Sequence, residues 1–285
     1  MLQPSTIQLL RFHFSLFLLP VYLFALSQAP VIDRGYALLV FTILHLLVYP
    51  SSNGYNSYMD RDETPIGGLA SPLLPTRQLY WATVLMDLLA VLLSFFISSA
   101  FALGILLYIL ASRAYSYRGI RLKRYPVAGF LTVFTCQGAL VFLLTWQGVQ
   151  PGATDLPPLI PCLVSSLLIG ALYPLTQVYQ HEADKKDGVI TISYLLGKRG
   201  SFVFSLLLFL LANALLFQYF SSVKRSNHFL LFLFISFPVV LFFLYWMLKV
   251  WRDESAADFS HSLKMNIIST LCTTAFFLTL ILLEH

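Results

Sequence analysis

Residues 78–112 read QLYWATVLMDLLAVLLSFFISSAFALGILLYILAS, 35 residues with one formal charge, Asp87. As a single helix rising about 1.5 Å per residue, the stretch would be roughly 50 Å long. The hydrocarbon core of a bilayer is only about 30 Å thick. The stretch therefore predicts two membrane-crossing helices that turn near Ser98–Ser99. Seven further runs lack Asp, Glu, Lys and Arg: 12–32, 35–59, 125–154, 156–181, 200–223, 226–248 and 265–283. Each is long enough for a spanning helix of about 20 residues. The expected fold is all-α, a polytopic membrane protein with nine transmembrane helices in one bundle. Residues 1–285 are expected to form a single transmembrane domain.

Composition agrees. Apolar and aromatic residues make up 58% of the chain and charged residues 11%, against about 25% charged in a soluble domain. That excludes a soluble globule, and 25 Phe with 15 Tyr exclude disorder. Mean hydropathy is +0.77. Cys136, Cys162 and Cys272 lie in apolar runs without a CxxC pair, so neither a disulfide framework nor a zinc site is indicated. The first run lacks a basic leader and a cleavage site, and eight spans follow it, so it reads as the first helix and not as a signal peptide.

The net charge of +5 is topological and does not indicate a nucleic-acid partner. Fourteen of the 18 Lys and Arg residues lie in the loops after spans 2, 4, 6 and 8, and three (Arg34, Lys224, Arg225) in the opposite loops. Arg11 sits at the edge of span 1. Basic residues mark cytoplasmic loops. The N-terminus is therefore expected in the cytoplasm and the C-terminus outside, as nine spans require.

The acids follow another logic, because Asp and Glu contribute little to topology. Six of the 13 fall in two windows, Asp60, Asp62 and Glu63, then Glu182, Asp184 and Asp187. The windows follow spans 2 and 6, in the longest interhelical segments, 57–76 and 182–199. The first reads NGYNSYMDRDETPIGG from Asn53. Helical spacing puts Asn53, Asn56, Asp60 and Glu63 on one face. In the second, Tyr173, Gln177, Gln180, Asp184 and Asp187 share a face, with Gly188 as a stop. Carboxylates beside amides are hard oxygen ligands suited to Mg²⁺, which binds one or two carboxylates together with substrate phosphates. Between the windows, residues 112–126 (SRAYSYRGIRLKRYP) carry five cations. A cationic loop beside carboxylate clusters suits a diphosphate bridged by metal.

At these residues the sequence resembles the UbiA-type intramembrane prenyltransferases, which have nine transmembrane helices and two Asp-rich motifs after helices 2 and 6. In the first motif, NDxxDxxxD, Asn56 and Asp60 match, while Ser57 and Thr64 replace Asp; Asp62 and Glu63 are neighbouring acids. In the second, DxxxDxKxG followed by Thr or Ser, Gln180 replaces the first Asp, while Asp184, Lys186, Gly188 and Thr191 match. The resemblance implies transfer of a prenyl chain from a prenyl diphosphate to an aromatic or quinone-precursor acceptor, with Mg²⁺. It implies Asp60, Asp184 and Lys123 as catalytic residues. Metal ligation would fall to Asp60, Asp62, Glu63, Asp184 and Asp187, and substrate binding to Asn53, Asn56, Arg121, Gln180, Lys186 and Thr191. The prenyl tail would enter the bundle from membrane lipid. The alternative is a non-catalytic transporter or lipid-binding protein of the same architecture. The spans are apolar and the polar groups gather at one rim, whereas a transporter places polar groups on broken helices near the midplane. The DxxDGxxAR pattern of another lipid-phosphate transferase class is absent from the sequence.

Outside the motifs, Asp87 is read either as functional or as paired with Arg113. His13 and His45 are read as satisfied histidines, and His181 as a neighbour of the second motif.

Overall fold

The computed structural model describes residues 2–150, 152 and 156–284. Among them the chain is helical, and its only β feature is the tight pairing of Ile66 with Leu69. The helices are α1 (Pro4–Gln28), α2 (Arg34–Asp60), α3 (Arg77–Ser94), α4 (Ser99–Ser116), α5 (Pro126–Gly148), α6 (Leu159–Thr176), α7 (Ile192–Ser222), α8 (Ser226–Arg252) and α9 (Phe259–Glu284). Every predicted span corresponds to one of them, and the 78–112 stretch divides at Phe95–Ser98, where Ser98 caps α4 by accepting from the Phe101 amide. Residues 151 and 153–154, the end of the 125–154 run, lie outside the described residues. Eight helices are long and apolar enough to cross a membrane, and the chain is a multi-pass membrane protein. The exception is α3, which has 18 residues but carries Arg77 and Asp87. It packs between α2 and α4.

Several helices are locally irregular. In α1 the backbone at Arg11 turns left-handed (φ 48°, ψ 51°) and Phe12–Leu18 tightens to a 3-10 turn. In α2 the π-helical stretch Thr42–Val48 precedes Pro50, whose ring and missing N–H disrupt regular α hydrogen bonding. In α5 a second π stretch, Phe134–Leu140, lies against α6. A Cβ on Gly138 would sit 2.3 Å from the Ser166 Cα, so the backbones approach as only glycine permits. Ser166 Oγ accepts from the Ala139 amide at 2.9 Å there.

The centre of the bundle is aromatic. Phe24 stacks on Phe277 with centroids 4.4 Å apart and meets Phe142 edge-on at 5.2 Å. Large apolar side chains such as Leu207, Phe234 and Leu241 stay exposed on the outer faces of α7 and α8, where lipid takes the place of solvent.

Asp87 pairs with Arg113. The Arg113 Nε donates to Asp87 Oδ2 at 2.9 Å, its Nη2 donates to Ser51 Oγ at 2.8 Å, and its guanidinium lies 4.0 Å from the Tyr55 ring centroid. The pair ties α3 and α4 to the C-terminal half of α2.

Candidate active site

Helix α2 delivers the first motif. It ends at Asp60 because Arg61 adopts the left-handed conformation (φ 55°) and donates its amide to the Ser57 carbonyl. Asn53, Asn56 and Asp60 share the helix face predicted for them. Glu63 falls beyond the helix end and is exposed. The second motif does not continue α6. The chain passes through a 3-10 turn at Tyr173–Thr176, opens at Gln177–Gln180, and re-forms as the short helix His181–Lys186 before Gly188 (φ 67°). Pro174 is the local reason, since proline breaks the α ladder. Tyr173, Gln177, Gln180 and Asp184 nevertheless face the same cavity.

That cavity encloses about 240 Å³ at one end of the bundle. Of the predicted residues, Asn53, Asn56, Asp60, Asp62, Lys123, Gln180, Asp184 and Thr191 line it. Thr191 also caps α7, accepting from the Tyr194 amide at 3.2 Å. Glu63 and Lys186 are exposed and do not line it. Asp187 lies at its margin and pairs with Arg121, whose Nη1 also donates to the Asp187 carbonyl at 3.1 Å. Arg118 approaches Asp187 at 3.8 Å.

The electrostatics divide the acids into two kinds. Asp60 is saturated: it pairs with Lys123, accepts from Asn56 Nδ2 at 2.9 Å, and lies 3.5 Å from Arg121 Nη2. Asp62 and Asp184 make no hydrogen bond or ion pair among the described residues, and Asp184 Oδ2 is buried. Burial pushes Asp184 up to about 7, with Lys123 pulling the other way. Burial, then the charge of Asp60, pushes Asp62 up to about 6. Burial opposes the Arg121 charge, but its bond to Asp187 and the neighbouring carboxylates outweigh that and raise its pKa. Buried carboxylates without partners favour either a proton or a cation. Among the described residues no three His, Cys, Asp or Glu side chains converge on one point. The donor set suits a cation shared between one or two carboxylates and a ligand's own oxygens.

Sequence reasoning passed over Arg11 as an edge charge. It lines the cavity, is only 5% exposed, and donates to the carbonyls of Gly67 and Asn53 at 3.1 Å each. Its signal was available: an ionisable residue set into an apolar helix defaults to a functional role. His181 bonds Ser193 Oγ at 2.8 Å, and burial pushes it down to about 4.

On the α1 and α6 side, Phe17, Ile169 and Leu172 are shared with a second, apolar chamber of about 390 Å³ enclosed by α1, α6, α7, α8 and α9. A polar cradle thus adjoins an intramembrane apolar chamber.

Comparison with known proteins agrees with this layout. No curated protein matches the chain. Among solved structures, a UbiA homolog from Archaeoglobus fulgidus bound to DMAPP and Mg²⁺ is 20% identical, with 97% of this chain and 99% of that chain covered and a TM-score of 0.68. The apo structure of a UbiA homolog from Aeropyrum pernix K1 is 18% identical over 94% of this chain and 98% of that one, with a TM-score of 0.70. A digeranylgeranylglyceryl phosphate synthase is 24% identical over 97% and 98%, with a TM-score of 0.63. These likenesses establish the fold. The profile of the UbiA prenyltransferase family matches residues 17–269, and the chain therefore belongs to that family.

Proposed function

We propose that the chain, acting as one domain over residues 1–285, moves a prenyl group from a prenyl diphosphate to an aromatic or quinone-precursor acceptor and uses Mg²⁺. One observation carries the reading: the half-buried side chains of Asp62 and Asp184, neither hydrogen-bonded nor ion-paired among the described residues, line with Lys123 a cradle that adjoins an apolar chamber between the helices. The UbiA homologs bound to Mg²⁺ with DMAPP or GPP support the choice of ligand class.

Asp62 and Asp184 would hold the metal, with Asp60 beside them and Asn56, Gln180 and Asn53 as neutral oxygen donors. When bound, Mg²⁺ neutralises diphosphate charge and favours its departure. Lys123 is the cation nearest the carboxylates and would take diphosphate oxygens, exchanging its bond to Asp60 for them. Arg121, anchored on Asp187, holds a second positive charge at the rim. Thr191 offers a hydroxyl on the opposite wall. The rings of Tyr115 and Tyr173, whose hydroxyls meet at 2.6 Å, stand where cation–π contact would stabilise an allylic cation. The apolar chamber takes the tail and keeps water from the cation. Glu63 and Lys186 are exposed outside the cavity and take no part in this arrangement. The basic loops support an orientation with the N-terminus and both motifs in the cytoplasm and the C-terminus outside.

The test is release of diphosphate from geranylgeranyl diphosphate by purified protein in Mg²⁺ or EDTA, across a panel of aromatic acceptors. Release is expected only with Mg²⁺, and is expected to fall at least a hundredfold in Asp184→Ala and Asp60→Ala. Folded protein that neither binds nor cleaves the donor would overturn the reading. Tight binding without cleavage for every acceptor would favour a lipid-binding protein.

A further inference from the structure

The cavity has two unlike flanks. Toward α1 and α6 it continues into the apolar chamber past Phe17 and Leu172. Toward α2, α4 and α5 it is bounded by hydrogen-bonding side chains: Tyr49, Ser52, Tyr108, Ser112 and Gln137. Most hydroxyls on that flank are committed; Ser52 and Ser112, for example, bond each other at 2.5 Å. Tyr49 is the exception. It lines the cavity and is 2% exposed, yet its hydroxyl finds no partner among the described residues. Its ring is held by Tyr108 (centroids 5.9 Å) and by the edge-on ring of His45 (4.9 Å).

Two further observations fall at the same spot. His45, one turn earlier on α2, is 1% exposed among Tyr22, Phe41 and Tyr49, with the main chain of Ser15 as the polar group nearest its ring. The helix is also π-wound at Thr42–Val48, ahead of Pro50, a distortion frequent at functional sites. A buried hydroxyl with no bond is unfavourable unless a ligand supplies one.

We propose that Tyr49, backed by His45, is the post that binds the uncharged oxygen of an apolar acceptor, a hydroxyl or carbonyl, on the flank of the cavity opposite the tail chamber. This rests on the prenyl-transfer reading only for the word acceptor; the binding site itself does not depend on it. Tyr49 touches the ligand. His45 is a positioning residue that keeps the phenol ring turned into the cavity.

The test uses full-length protein in detergent and two probes of similar shape, 1-naphthol and 1-methylnaphthalene, measured by calorimetry beside geranylgeranyl diphosphate. Wild type is expected to bind 1-naphthol roughly fivefold to tenfold tighter than 1-methylnaphthalene, the value of one buried hydrogen bond. Tyr49→Phe should erase that preference while leaving geranylgeranyl diphosphate binding unchanged. Its thermal midpoint should stay level or rise, because the hydroxyl it removes is unbonded in the free protein. His45→Phe should weaken the preference without abolishing it. Equal affinity for the two probes in wild type, no binding of either, or a lowered midpoint in Tyr49→Phe would each overturn the proposal. Failure of geranylgeranyl diphosphate to bind, with the naphthol preference intact, would instead strike the prenyl-transfer reading alone.

Discussion

Asp62 and Asp184 dominate the chemistry at the scale of single residues, because burial holds them near 6 and 7. Both values lie above the ordinary 3.8 of an unfolded Asp. The folded, metal-free protein therefore binds more protons than the unfolded chain between about pH 4 and 7. The stability these two groups contribute is fully present below pH 3.8 and is lost as pH rises through 6 and 7. Mg²⁺ must displace those protons. Its apparent affinity should climb steeply from pH 5.5 to 7.5 and flatten above, and calorimetry in buffers of different ionisation enthalpy should show proton release. A pH-independent affinity would mean that neither carboxylate is a ligand. Asp184→Asn should remove the upper part of this dependence. Asp60 is already paired with Lys123. Each acid was legible in the sequence. Their division into saturated and orphaned was not, because it depends on which cations the loops bring within reach.

Among the helices, the tie between α2, α3 and α4 is the Asp87–Arg113 pair. Asp87→Asn should leave the half-buried Arg113 guanidinium without its counterion and destabilise by up to about 3 kcal/mol, the low end for a buried pair. Asp87→Leu with Arg113→Met should cost far less, read from denaturation in detergent. If the single and double variants match, the pair carries no structural role. The contact of α5 with α6 depends on Gly138, where a Cβ would lie 2.3 Å from the Ser166 backbone. Gly138→Val should lower stability by about 1–3 kcal/mol or more through overpacking, with the midpoint falling accordingly. Helix positions could be read from charge-free runs, including the break within 78–112. The end of α2 at Asp60 could not, because helical spacing continues to Glu63 while the left-handed turn at Arg61 is set by local backbone geometry.

Across the bundle, one cradle opens toward two different spaces, and donor length should depend on the larger of them. Ser236 is 4% exposed and lines the apolar chamber from α8. Ser236→Phe should cut turnover with geranylgeranyl diphosphate at least tenfold while sparing dimethylallyl diphosphate, measured by diphosphate release at saturating Mg²⁺. Equal loss with both donors would place the tail elsewhere. The all-helical membrane class and the neighbourhood of the two acidic windows follow from hydropathy and charge, since a bilayer accepts only long apolar helices and leaves charges to the rims; the count of nine spans does not, because eight helices are long and apolar enough to cross. Those quantities are local sums along the chain, so they need no coordinates. Tertiary structure decided the rest. It turned Asp184 inward beyond the break at Pro174, left Glu63 and Lys186 outside, drew Arg11 from the N-terminal helix into the cradle, and left the Tyr49 hydroxyl unbonded beside His45. Such facts depend on which distant surfaces meet and on what burial does to a polar group left without a partner, and neither is a property of any one stretch of sequence.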